Sequence, residues 1–235
     1  PPPPPPPYYT STPHHRDLHK EYPRQRHMWI RDTYTNTGYK NDYSLFTKNK
    51  YSLNKTNLFS DIQYRYASFS YKGSTKLDKL DWAFINTKVG VSHSIFKNTI
   101  LYYSIGNTNR EPTRNDIFGG NDDLLQDSLG NAIIFNSTPE SVVENDLGVR
   151  FFSSKLQINL NTYNMRFKNE IALDGKFGPN GLALTNKVKK SIRCGVELHI
   201  AYLLNKNIEL SNNSSYNYSE ILEQGEKFIP ILSPK

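Results

Sequence analysis

The chain has 235 residues, of which 36% are apolar and 13% aromatic, and its formal net charge is +7. Its 29 Lys and Arg residues are scattered singly rather than gathered into a stripe, which disfavours nucleic acid as a partner. Tyr and Phe dominate the aromatic residues, with 16 and 12 copies, and these side chains suit pleated surfaces. The composition therefore disfavours the helix-rich classes of protein.

The N-terminal residues 1–25 differ from the rest of the chain. They open with an unbroken proline run, which favours an extended polyproline II conformation and cannot donate sheet hydrogen bonds. We therefore expect a disordered proline-rich head, which need not belong to the domain that follows. His14, His15 and His19 fit a solvated cluster better than a metal site, because nothing nearby would hold the ligand geometry.

Residues 26–235 follow a pattern of β-strands separated by turns, and we count about nine strands. In the stretch LFSDIQYRYASFSYKG, apolar and polar side chains alternate between opposite faces. They are Leu58, Ile62, Tyr64 and Tyr66 on one face, and Asp61, Gln63 and Arg65 on the other. The stretch RCGVELHIAYLL, residues 193–204, repeats this period of two, so it also predicts a strand with one apolar face.

The predicted connections differ in length between the two ends of the strands. One end has short turns, as in LLNKNIEL, whereas the other end carries a long loop at residues 108–140. Short turns at one end and long loops at the other are the layout of an outer-membrane barrel.

The strands are also long enough for such a barrel. Twelve residues at about 3.3 Å each, tilted by about 45°, rise some 28 Å, which is close to the roughly 25 Å apolar band of an outer-membrane barrel. We therefore expect the apolar face to contact outer-membrane lipid and the polar face to line a lumen. The predicted lumen residues are Gln63, Arg65, Asn159, Asn161, Arg193 and Glu197.

Several strings resemble, in order and spacing, the C-terminal part of the barrel of TonB-dependent outer-membrane receptors. They are NREPTRNDIFGG, PESVVENDLGVRF, YNMRFKNEIAL and SIRCGVELHIAYLLNKNIELSNNSSYNYSEI. The stretch NKTNLFSDIQYRYASFSYKG is similar to an earlier barrel hairpin of the same family. The resemblance covers residues 28–222, and the ordered set is specific although each string alone is weak.

The resemblance implies a 22-stranded antiparallel barrel in the bacterial outer membrane, with a plug domain inside. It implies uptake of a scarce small solute, such as an iron–siderophore complex, with energy supplied through the TonB complex. The plug, the TonB box and several strands of the family pattern have no counterpart in this sequence. We therefore expect a fragment, namely a partial transmembrane barrel of about nine strands without a cofactor.

The motif NREPTRNDIF begins the long loop, where its side chains are candidates for contact with the plug or a ligand. These candidates are Arg110, Glu111, Arg114, Asn115 and Asp116. Arginine suits acidic chelates because it forms paired hydrogen bonds to carboxylates. An equally weighted alternative is that Arg110 and Glu111 pair with neighbouring strands and only anchor the loop. The lumen candidates for plug or wall contacts are Arg65, Arg193 and Glu197.

Two other classes of protein remain open on the sequence alone. A soluble or surface-attached β protein would bind glycans or proteins through its long loops, and it should fold in water without detergent. A barrel enzyme would need a Ser and His pair, but His93 and His199 have no evident nucleophile. The chain has no nucleotide loop, serine elbow or zinc signature, and its single cysteine, Cys194, excludes an internal disulfide. We therefore predict no enzymatic activity and no metal site.

Overall fold

The computed structural model describes residues 36–223 and 226–228. These residues form one antiparallel sheet in which the spatial order of the nine strands follows the chain order. The strands are β1 (Thr37–Leu53), β2 (Thr56–Lys72), β3 (Lys76–Phe96), β4 (Thr99–Arg110), β5 (Glu140–Phe152), β6 (Leu156–Phe177), β7 (Ala183–Asn205), β8 (Ile208–Glu223) and β9 (Glu226–Phe228). A short helix, α1 (Arg114–Phe118), lies between β4 and β5.

The predicted all-β antiparallel fold with about nine strands is confirmed. Among the described strands, β1 and β9 do not pair with each other, so the sheet is an open arc rather than a closed barrel. The described residues include no helix that is long and apolar enough to cross a membrane. The predicted head at residues 1–25 lies outside the described residues.

The connections are short at one end of the sheet. Only residues 54–55, 97–98 and 206–207 separate the strands of three hairpins there. Asn54 has a φ of 50° in the first of these turns, a left-handed conformation that Asn adopts more readily than most residues. At the opposite end, residues 111–139 connect β4 to β5.

The register assigns the alternating side chains to two faces across the sheet. On β2 and β3, Tyr64 pairs with Ile85, whereas Gln63 pairs with Asn86 on the opposite face. We call the apolar side the outer face and the polar side the inner face. The outer face carries large exposed apolar residues, among them Leu58, Ile62, Val89, Leu147, Leu160 and Val196. This exposed surface is the feature that the sequence pattern predicted for contact with lipid.

The buried core lies on the inner face, near the end of β2 and β3 that is remote from the short turns. Its members are Ala67, Phe69, Tyr71, Leu77, Trp82 and Phe84 from the two strands, and Ile117, Phe118 and Leu124 from the β4–β5 connection. Ala67 and Phe69 follow Gln63 and Arg65 at intervals of two, so the inner face of β2 changes from polar to apolar along its length. This change differs from the polar lumen face that the alternating pattern predicts for the whole strand.

Aromatic rings cover glycines on the inner face at three cross-strand pairs. Phe59 pairs with Gly90, Tyr102 pairs with Gly148, and Tyr163 pairs with Gly195. A Cβ atom built on Gly148 would lie 2.2 Å from Cζ of Tyr102, which is much closer than van der Waals contact. Glycine is therefore required at these positions because the partner ring occupies the space of a side chain.

We expect Gly148→Ala to lower the unfolding free energy by about 1–3 kcal/mol, because the Tyr102 ring must swing away from the wall. The displacement would also disturb the hydrogen bond of 3.1 Å from Tyr102 Oη to Asn161 Oδ1. Thermal unfolding in detergent measures the loss. In a Tyr102→Ser background, Gly148→Ala should lower the unfolding free energy by less than it does in the parent protein, because the ring that meets the added methyl group is gone. Additive losses would contradict the proposed clash.

Candidate functional site

The β4–β5 connection, residues 111–139, folds back onto the inner face and forms the candidate site. Helix α1 begins with a capping box, in which Thr113 is the N-cap and its N–H and hydroxyl both donate to Asp116 Oδ2 at 2.7 Å. The helix ends at Gly119, whose φ of 60° is in the left-handed region that favours glycine. These local signals stop the helix after one turn and direct the chain across the sheet.

Phe118 attaches the connection to the wall formed by β2 and β3. Its side chain is 1% exposed and makes edge-on contacts with the rings of Phe69 and Tyr71, at centroid distances of 6.1 and 5.2 Å. The guanidinium of Arg114 lies 4.9 Å from the centroid of the Phe118 ring. On the same wall, Trp82 Nε1 donates to the carbonyl of Ser137 at 3.0 Å. The connection is therefore packed against the sheet rather than extended into solvent.

Glu111 anchors the start of the connection to β1 and β2. Lys40 donates to Glu111 Oε1 at 2.7 Å, and Arg65 donates to both carboxylate oxygens at 2.8 and 2.9 Å. Arg65 also forms an ion pair with Asp42 on β1. Burial alone would raise the pKa of Glu111, but the hydrogen bonds from Lys40 and Arg65 outweigh it and hold the pKa below its ordinary value of 4.5.

The same connection is also attached to the hairpin of β6 and β7. Asn115 Nδ2 donates to the carbonyl of Ala183 at 2.9 Å, and Thr185 Oγ1 donates to Asp116 Oδ1. The backbone N–H of Asn180 donates to the carbonyl of Gly120 at 3.3 Å. Helix α1 thus contacts β2 on one side of strands β4 to β6 and β7 on the other side.

Two further ion pairs lie on the inner wall. Arg110 pairs with Glu140 at 3.1 Å, where β4 and β5 meet the connection. Arg193 on β7 pairs with Glu170 on β6 and lies 4.8 Å from the Phe167 ring centroid. Glu197, also on β7, has no hydrogen bond or ion pair among the described residues, and its side chain is exposed.

An open groove of about 370 Å³ lies on the inner wall of β1 to β5. Polar and charged side chains line most of it, including Lys48, Asp61, Gln63, Asn86, Lys88 and Glu144. Lys88 bridges Glu144 and Asp146 at 2.8 and 3.4 Å within this wall. Within residues 36–223 and 226–228, no group of three or more His, Cys, Asp or Glu side chains is arranged to hold a metal ion.

The structure places the residues that the sequence predicted as contacts in four separate groups. Arg65 and Glu111 are in direct contact, and Arg114, Asn115 and Asp116 form helix α1. Arg110 lies at the end of β4, whereas Arg193 and Glu197 lie on β7. The apolar residues that hold the connection, above all Phe118, Phe69 and Trp82, are not among the residues predicted from the sequence. The available signal was the run of apolar residues at positions 67, 69 and 71 on the face that also carries Gln63 and Arg65.

The chain matches the family model described as "TonB dependent receptor-like, beta-barrel" over residues 3–231. The chain therefore belongs to the TonB-dependent receptor barrel family, the outer-membrane proteins of Gram-negative bacteria. The predicted family and localisation are confirmed. A comparison with curated protein sequences returned no match.

Solved structures of transport proteins share the fold. The structure of the copper transporter OprC has a TM-score of 0.64 and 18% identity, with 78% of this chain and 29% of that chain covered. The ferric-catecholate import receptor Fiu from E. coli K12 has a TM-score of 0.57 and 13% identity, with 80% and 29% covered. The ferric citrate transporter FecA has a TM-score of 0.58 and 12% identity, with 82% and 28% covered. The chain thus spans less than a third of each of these proteins, and at such identities the likeness concerns the fold.

Proposed function

We propose that this chain is the C-terminal barrel portion of a receptor that takes up a scarce small solute with energy from the TonB complex. The observation that carries the proposal is the continuous two-faced sheet, with an apolar outer face, a polar inner face and the β4–β5 connection folded over the inner wall. When further strands close such an arc into a barrel, its inner face surrounds a lumen, and a water-filled lumen accounts for the polar side chains on that face.

The proposed solute class is an iron–siderophore complex. Two of the structural neighbours are a ferric-catecholate import receptor and a ferric citrate transporter, which supports this class without selecting one compound. The proposal also assigns Arg110 and Arg114, at the loop-bearing end, to contact with an acidic chelate, since both have exposed side chains. Glu111, Asn115 and Asp116 would act by positioning the connection.

The proposed partner of the inner wall is a plug domain. The groove on the wall carries charges of both signs, and Glu197 offers an exposed carboxylate without a partner among the described side chains. Arg65 and Arg193 lie on the same face, where Arg65 already pairs with Asp42 and Glu111 and Arg193 with Glu170, so they would meet a plug as parts of a paired wall. A polar plug surface with a basic side chain would pair with the carboxylate of Glu197 and keep the ion pairs of the wall hydrated or hydrogen-bonded, which an apolar ligand would not do.

Uptake of ⁵⁵Fe-labelled siderophores tests the proposed function. The complete reading frame that encodes this chain is expressed in a Gram-negative host that lacks its own siderophore receptors, with and without TonB. We expect uptake of at least one siderophore class, and we expect it to disappear in the strain without TonB. Arg110→Gln should lower uptake about tenfold through a weaker apparent affinity, whereas Lys55→Gln, in a short turn at the opposite end, should leave it unchanged. The absence of TonB-dependent uptake of every siderophore tested would overturn the proposal.

A further inference from the structure

Two lysines of like charge face each other on the outer face of β6 and β7. Lys168 pairs directly with Lys190, and both residues are exposed. Directly opposed side chains have Cβ atoms about 4.5–5.5 Å apart, and like charges at that separation are destabilising. Arg166, two residues before Lys168 on the same face, is opposite Ile192 and is also exposed. We call Arg166, Lys168 and Lys190 the outer cationic cluster.

The protein supplies no counterion for the outer cationic cluster among the described residues. None of its three side chains takes part in a hydrogen bond or an ion pair there. The residues in register with them on the flanking strands are Val143, Ser141 and Leu222. The nearest acid in register is Glu220, which is opposite Ile192 and accepts a hydrogen bond from Tyr218. The cluster therefore carries uncompensated positive charge.

The cluster lies at the border of the apolar band. At about 3.3 Å per residue, Lys168 lies roughly 40 Å along β6 from its start at Leu156, which corresponds to a height of about 28 Å for a strand tilted by about 45°. The apolar band of an outer-membrane barrel is roughly 25 Å tall, and its long loops face outward. The cluster is thus at the level of the lipid head groups in the outer leaflet.

We propose that Arg166, Lys168 and Lys190 bind a phosphate group of an anionic lipid in the outer leaflet. The guanidinium offers a paired hydrogen-bond geometry to phosphate, and the two ammonium groups add compact charges on the adjacent strand positions. A bound phosphate between the two lysines would convert their mutual repulsion into attraction to a shared anion. The site is on the outside of the sheet, so it is independent of the solute that the receptor carries.

A second pair of opposed lysines offers a matched control. Lys72 pairs with Lys76 next to the turn between β2 and β3, and both are exposed. Lys72 is the last residue of β2, so it lies at the tip of its hairpin, whereas β6 continues beyond Lys168 to Phe177. The same rise per residue and strand tilt give Lys72 a height of about 37 Å above the start of β2, which places it in water beyond the lipid head groups. The two pairs thus have the same charges and register but different heights.

Native mass spectrometry of the purified receptor with lipid A, a phosphorylated glycolipid, tests the proposal. Each basic residue near an anionic lipid surface contributes roughly fivefold to binding, so K168Q/K190Q should weaken lipid A binding by at least about tenfold. K72Q/K76Q should leave it unchanged, and inorganic phosphate should neither bind to the cluster nor compete. Equal lipid A binding by K168Q/K190Q and the parent would overturn the proposal, as would equal loss in both double variants or competition by inorganic phosphate.

A charge-reversal variant gives a second readout that separates lipid binding from folding. In K168E the new carboxylate faces Lys190, so in a neutral detergent the variant should unfold at a higher temperature than the parent. On addition of lipid A the parent should gain stability and K168E should not. A gain of equal size in both proteins would overturn the proposal. Loss of folding in neutral detergent would contradict the stated repulsion between Lys168 and Lys190.

Discussion

Phe118→Ala is expected to release the β4–β5 connection from the inner wall while the strands stay paired. The ring is 1% exposed and contacts Phe69 and Tyr71, so its removal leaves a cavity that the short helix cannot fill. Truncation of a buried Phe costs about 3–5 kcal/mol. That amount exceeds the stability of most surface connections, so residues 111–139 should open locally. Hydrogen exchange of the amides of 114–124 measures the release.

Leu129→Ala is the matched control for this variant. Leu129 belongs to the same connection, but its side chain is 83% exposed, so its truncation should change stability by no more than about 0.5 kcal/mol. Exchange in β8, which shares no hydrogen bond with the connection among the described residues, should be unchanged in both variants. If Phe118→Ala left the exchange of 114–124 as slow as in the parent, the apolar contact would not be what holds the connection.

Arg65→Met is expected to destabilise the anchor of the connection by about 3 kcal/mol. It leaves Glu111, whose side chain is 4% exposed, with Lys40 as its remaining cationic partner. Removing one partner of a buried ion pair costs about 3–5 kcal/mol, and the retained Lys40 places the effect at the lower end. The double variant Arg65→Met/Glu111→Met should recover much of the loss, because the unpaired carboxylate is then gone. Thermal unfolding and hydrogen exchange of residues 111–118 measure both effects.

Lys48→Met serves as the control for the anchor. Lys48 pairs with Asp61 at 3.8 Å on the same two strands, but the two side chains are 71% and 42% exposed. An exposed pair of this kind contributes at most about 1 kcal/mol. An equal loss in Lys48→Met and Arg65→Met would show that the burial of Glu111 has no energetic role.

Acidification should weaken the same anchor in a defined direction. The pKa of folded Glu111 lies below 4.5, so its contribution to stability is fully present above pH 4.5 and is lost as the pH falls through the folded pKa. Glu111→Gln should remove this dependence. The difference in exchange rate between the parent and Glu111→Gln, measured from pH 3 to 6, isolates the carboxyl from the other acids of the chain.

The sequence predicted the strands and their two faces because both follow from a local period of two. The set from Ile192 to Tyr202 could be assigned to one face without any knowledge of its neighbours. The path of the β4–β5 connection could not be predicted in this way. It depends on the contact of Phe118 with Phe69 and Tyr71, residues that are remote in sequence and ordinary in composition.

The charged residues show the same limit. The motif NREPTRNDIF identified Glu111, and the strand pattern identified Arg65, but nothing local indicated that these two side chains meet. The sequence left anchoring and ligand contact as equal alternatives for Glu111. The ion pair with Arg65 depends on the path of the connection, so it became visible only once that path was known.

The double attachment of helix α1 has a mechanical consequence. Phe118 holds the helix to β2, whereas Asn115 and Asp116 hold it to Ala183 and Thr185 of β7, so the connection crosses the curved sheet and is attached at both ends. A link that is fixed at two points keeps the strands between them from changing their curvature unless one attachment breaks. The segment from β2 to β7 should therefore move as one rigid unit, and a pulling force can change its curvature only after it detaches the connection at Phe118 or at Asp116.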